Sequence, residues 1–202
     1  VQEQSQHWHQ LANQLATRCR DNGLPIQLEQ VCRNIAEQLN SIAQTGAPSN
    51  RLRRFLEVAD QLKQNFLIIR QLERFDFDRY RLLRSFVQSA RGWGENLDGE
   101  NADRWRRISE GLNSPDLLSR WSSIQGDFAA IWSTYRSDYA KRHSEFQTAL
   151  AQSLQDLRQH PAFEHEPEEA ERLLQPLKRL QCDRDGTLTE TDFICPQCKL
   201  SF

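Results

Sequence analysis

Apolar residues recur every three or four positions through most of the chain, the period of one buried helical face. Trp8, Leu11, Leu15 and Cys19 mark a first helix, which Asp21-Asn22-Gly23-Leu24-Pro25 ends, since Gly23 suits a left-handed cap and Pro25 bars continuation. Leu28, Val31, Cys32, Ile35, Leu39 and Ile42 mark a second, closed by Thr45-Gly46-Ala47-Pro48, and the two predict an antiparallel hairpin. Ser49 or Asn50 can cap a third helix, whose stripe includes Leu52, Phe55, Leu62, Phe66, Ile69 and Leu72. Phe75-Asp76-Phe77-Asp78 predicts a break, with Asp76 or Asp78 capping a fourth helix through Tyr80, Leu83, Phe86 and Val87. The glycine-rich, aperiodic stretch 91–101 reads as a loop and a subdomain boundary, and a short helix over 102–111 carries Trp105 and Ile108.

The clearest element comes next. Ser114-Pro115-Asp116 is a helix-start signal, and the stripe from Leu117 through Trp121, Ile124, Phe128, Ile131, Tyr135, Tyr139, His143, Phe146, Leu150 and Leu154 to Leu157 takes eleven steps over 40 residues. That is about 3.6 residues per step, the period of a straight α-helix. His160-Pro161 stops it, and a last short helix near 168–174 leads past Pro176 to the cysteine-rich end. The predicted fold class is all-α: helical hairpins and a bundle, one long helix over about 114–158, and a small C-terminal hairpin resembling a zinc ribbon. The predicted organisation is a hairpin and bundle at 1–90, a loop at 91–101, a segment containing the long helix at 102–180 and a zinc-binding hairpin at 181–202.

Composition changes this picture little: 38% hydrophobic and 27% charged residues suit helices with one buried stripe. No run of apolar residues approaches a membrane span, which predicts no membrane partner and a cytoplasmic location. The absence of methionine and the start at Val1-Gln2-Glu3 predict a processed or excised piece of a longer protein. Net charge is −2, yet residues 51–107 hold 13 basic and 9 acidic groups while residues 108–202 hold 10 and 15. The cluster Arg104, Trp105, Arg106 and Arg107 combines guanidinium groups with an aromatic face, as sites for nucleic acid do, although a solvated face paired with acids accounts for it more simply.

The chemistry lies at the end of the chain. Cys195-Pro196-Gln197-Cys198 has the spacing of a zinc knuckle, in which two thiolates reach one tetrahedral ion from a tight turn, and Cys182 lies 13 residues before it. A second CxxC is lacking, because Asp185 stands at its last position. The fourth ligand is then Asp185, or else His165, Cys19, Cys32 or a residue beyond Phe202. A structural zinc outweighs a redox CxxC, which needs a helix N-terminus in a βαβ setting, and reduced thiols without metal. Cys19 and Cys32 fall on apolar stripes and read as core residues; His143, between Tyr139 and Phe146, reads as an interface histidine with a hydrogen-bond partner. Phosphate-binding, zinc-protease and nucleophile-elbow motifs are absent, so no enzymatic role is predicted for this segment.

The run Trp132, Tyr135, Tyr139, His143 followed by an acidic helix and a terminal CPxC resembles the C-terminal region of the large P-loop ATPase proteins of BREX-type bacterial phage-resistance systems. The resemblance covers residues 115–202, with Lys199 where the knuckle usually has glycine. It implies a scaffold segment within a defence assembly, with the ATPase elsewhere in the parent chain. The sequence thus predicts a non-catalytic helical scaffold stabilised by a structural zinc, its partner being a protein or the rest of the parent chain. A nucleic-acid-binding accessory domain and an oligomerising coiled-coil arm of a P-loop ATPase are the alternatives.

Overall fold

The structure is a computed structural model that describes residues 2–44, 46–161, 167–184, 186–189, 193–195, 197–198 and 200, the side chains of 2–4 and 170 excepted. The described residues form helices and no strand: α1 (Gln2–Asp21), α2 (Ile26–Gln44), α3 (Pro48–Glu73), α4 (Phe77–Ser89), α5 (Arg91–Glu95), α6 (Gly99–Gly111), α7 (Leu117–Arg158) and α8 (Pro167–Lys178). The chain divides into two compact units, one of Val1–Ser85 with Arg106–Asp127, the other of Phe86–Trp105 with Phe128–Phe202. This partition differs from one at residues 90 and 101.

In the first unit α1 and α2 form the expected antiparallel hairpin. The amide of Leu24 bonds the Cys19 carbonyl at 2.9 Å and that of Gly23 bonds the Arg20 carbonyl at 3.0 Å, a Schellman closure with Gly23 at φ 66°. Leu15, Cys19, Leu28, Cys32, Ile35 and Leu39 are buried between the helices, and His9 Nδ1 lies 2.9 Å from the Ala36 carbonyl. The cap of α3 departs from expectation: Ala47 precedes the helix without a side-chain cap and Pro48 opens it, its fixed φ suiting the first turn where no amide is needed. Asp76 is the cap of α4, its Oδ1 accepting the Arg79 amide at 2.9 Å. Tyr80, fully buried, donates to the carbonyls of Gly23 at 3.0 Å and Leu112 at 3.2 Å, and Phe75 packs its ring 4.8 Å from Trp121.

The second unit is built on aromatic rings. Phe86 meets Tyr135, Phe128, Phe193 and Trp132 edge-to-face at 5.0 to 5.6 Å, a geometry that adds quadrupole attraction to area burial. The stretch read as a loop contains the one-turn helix α5, because Trp93 is buried there, its indole N–H donating to Asp138 Oδ2 at 2.9 Å and its ring meeting Tyr135. Farther along α7, Leu150 and Leu154 bury Leu174 of α8, with Phe146 and Leu177 at the margin. The long helix starts at Leu117 rather than Ser114: Ser114 Oγ takes the Asp116 amide at 3.2 Å in a turn before it. Of the residues 179–200, those described carry no regular secondary structure, so among them the ligands of a knuckle stand without the strands of a ribbon.

Candidate metal centre

Helix α7 offers one column of side chains, Tyr135, Tyr139, His143 and Gln147, spaced by four residues and therefore stacked along one face. Every member engages the cysteine-bearing segment. Tyr135 donates its hydroxyl to the Phe193 carbonyl at 2.6 Å. Tyr139 donates to the Leu200 carbonyl at 2.7 Å and accepts the Cys195 amide at 2.8 Å. Burial, with the nearby thiols adding to it, pushes the Tyr139 phenol up to about 12, so it keeps the proton that the first of these bonds requires. Gln147 accepts the Cys182 amide at 3.0 Å and donates to the Leu180 carbonyl at 3.1 Å.

His143, the third member of the column, faces sulfur. Its ring nitrogen and the Sγ atoms of Cys182, Cys195 and Cys198 all lie within 4.8 Å of one another. His143, Cys195 and Cys198 are 2%, 1% and 4% exposed, and Cys182 is half-buried. His143 Nε2 is buried and has no hydrogen-bond partner among the described residues. Gly186 makes room for this ring. It sits at φ 78°, where a Cβ is strained, and a Cβ there would stand 3.0 Å from His143 Cβ and Cγ.

The thiols crowd as ligands of one ion do. Cys182 Sγ and Cys195 Sγ are 3.6 Å apart, and a tetrahedron with metal–sulfur bonds of about 2.3 Å has sulfur–sulfur edges of about 3.8 Å. Burial raises the Cys195 thiol, but the backbone N–H groups of Cys198 and Gln197 and the Cys182 and Cys198 thiols outweigh it and leave this thiol below its ordinary range. Cys198 is pushed up to about 11, by burial first and then by the charge of Cys195 and Cys182, against the pull of the Leu200 amide. Three thiols this close cannot all ionise unless a cation neutralises them. The four residues therefore form a closed donor set that can hold a metal ion.

No family model, curated protein or solved structure matches the chain. The site rests on its own geometry. Cys182, Cys195 and Cys198, singled out from the sequence, are brought together, and His143 is the fourth donor the structure adds. Asp185 and His165 lie outside the described residues. Cys19 and Cys32 are fully buried free thiols on α1 and α2, and the neighbouring Cys19 together with burial drives the Cys32 thiol far above its ordinary range. Of the residues considered for nucleic acid, Arg106 and Arg107 are exposed, Arg104 is half-buried and Trp105 is buried. Trp105 is buried, with its ring 5.9 Å from Phe86; Arg104 pairs with Glu100; Arg107 grips Asp127 through two bonds of 2.8 Å; Arg106 has interactions of its own.

From the sequence His143 reads as an interface histidine on the stripe rather than as a ligand. The signal for a ligand was present, since a histidine stood where neighbouring turns carry large apolar or aromatic side chains. Its partners, however, lie 39 to 55 residues later, and helical periodicity says nothing at that range.

Proposed function

We propose that this segment is a non-catalytic helical scaffold whose C-terminal region is pinned to α7 by a structural zinc ion held by His143, Cys182, Cys195 and Cys198. The observation that carries the reading is the buried His143 ring, which brings a nitrogen within 4.8 Å of three thiol sulfurs and whose Nε2 has no hydrogen-bond partner among the described residues. A buried polar atom left unpaired costs about 1–3 kcal/mol, and a metal bond removes that cost. Three sulfurs and one imidazole are a closed tetrahedral shell for zinc, with every position taken by protein, whereas a catalytic zinc keeps one position open. Tyr139 and Gln147 hold the amides of the ligands Cys195 and Cys182, the outer-shell support that orients metal ligands.

Among the described residues no helix is long and apolar enough to cross a membrane. The resemblance of residues 115–202 to proteins of phage-resistance islands would place such a scaffold within a defence assembly. The metal reading is tested by replacing the ion with cobalt. Reduced protein loaded with Co²⁺ should show the visible bands of a tetrahedral centre and strong sulfur-to-metal charge transfer, and His143→Ala should alter them. An octahedral spectrum, or one indifferent to His143, would refute the proposed donor set.

A further inference from the structure

Helix α3 is incompletely covered. Across 48–61 none of its residues is buried, and Leu52 and Phe55 on that stretch and Leu67 beyond it are 61%, 44% and 61% exposed. Two adjoining cavities run beside it, of about 710 and 350 Å³, which share Trp8, Phe55 and Phe66. Both lie within the first unit. Their α3 linings begin at Pro48 and end at Arg70, which at 1.5 Å per residue is a trough about 33 Å long. Side chains of α1 and α2 form the opposite wall of the larger cavity.

The charges at this trough have one sign. Lys63 and Arg70 line it together with Arg51, which has interactions of its own, and no acidic residue is among the described residues lining either cavity. We propose that the α1–α3 trough is a docking groove for an amphipathic helix of a partner protein, with an apolar stripe that enters the trough and acidic residues along its flanks. Three features select this occupant. The trough is long and open at the scale of several helical turns, which suits anchors at i, i+3, i+4 and i+7 and exceeds what a compact small molecule would fill. Its concave shape receives protruding side chains, whereas a membrane-binding face presents them outward. A symmetric pairing of two copies through this face would set the same cations against each other, which disfavours self-association. The groove belongs to the first unit and the metal ligands to the second, so this inference stands apart from the zinc reading.

The test uses three 20-residue helical peptides that share one leucine stripe and carry glutamate, glutamine or lysine along both flanks. Binding to the full chain is followed by fluorescence anisotropy of the labelled peptides. The glutamate peptide should bind at least tenfold tighter than the lysine peptide, with glutamine between them, and added salt should narrow the gap. Phe55→Asp should abolish binding. The double variant Lys63→Glu, Arg70→Glu changes only surface charge and should reverse the order of the peptides, with an unchanged circular dichroism spectrum. Equal binding of all three, binding of none, or an order unaffected by the charge reversal would overturn the proposal. It would also be overturned by binding to phosphatidylserine vesicles that Phe55→Asp abolishes, or by a dimer that the same substitution dissociates.

Discussion

His143 occupies a position at which its helix otherwise carries buried aromatic or aliphatic side chains, and its Nε2 has no hydrogen-bond partner among the described residues. Replacing it by leucine would fill the same space without the unsatisfied nitrogen, so the variant should lose metal while α7 keeps its helicity. The expected outcome is a zinc affinity lowered by about 100-fold or more, at least the loss typical of an outer-shell residue, checked by competition with a chromophoric chelator. Gln147→Ala removes only the support of Cys182 and Leu180 and should lower affinity by about 10- to 100-fold in the same assay. Tyr80 illustrates a residue with a purely structural task. Its hydroxyl bonds the buried Leu112 carbonyl and the part-buried Gly23 carbonyl, which Arg84 also serves, and Tyr80→Phe, by leaving the Leu112 carbonyl unpaired, should cost about 1–3 kcal/mol in urea denaturation.

At the scale of elements, helices follow from local chemistry that a sequence displays. Asp76 caps α4 with one bond to the Arg79 amide, and Asp76→Ala should destabilise the protein by about 1 kcal/mol, read as a lower denaturation midpoint. The stripe of α7 was legible because its period is that of the helix itself, and nine of its twelve positions, from Leu117 to Leu154, are buried. Trp121 and Phe146 are only partly covered, and Leu157 near the end is 36% exposed. Helix α5 was not legible, since two glycines in Arg91–Glu95 hide any period, and Trp93 is held by partners on a distant part of the chain. The C-terminal cysteine-bearing segment was legible as chemistry and not as secondary structure. CPxC spacing announces two ligands, but what orders the segment is hydrogen bonding to Tyr135, Tyr139 and Gln147, and side chains reaching over 33 to 61 residues leave no local pattern.

The whole molecule contains two units with different means of stabilisation. The first relies on helix packing and caps. The second buries a dense set of aromatic rings and, in the proposed reading, closes its C-terminal segment with a metal, so metal binding and local folding are linked there. A chelator should therefore raise amide exchange near Cys182 and in Phe193, Cys195 and Cys198, while the amides of the α1–α2 hairpin keep their protection. Native mass spectrometry of the reduced full chain, prepared with zinc present, tests the central claim most directly. The account predicts one zinc ion per chain, lost on acidification and not retained by His143→Ala. A native chain with all its cysteines reduced and no bound metal, or one that binds zinc equally well without His143, would contradict it.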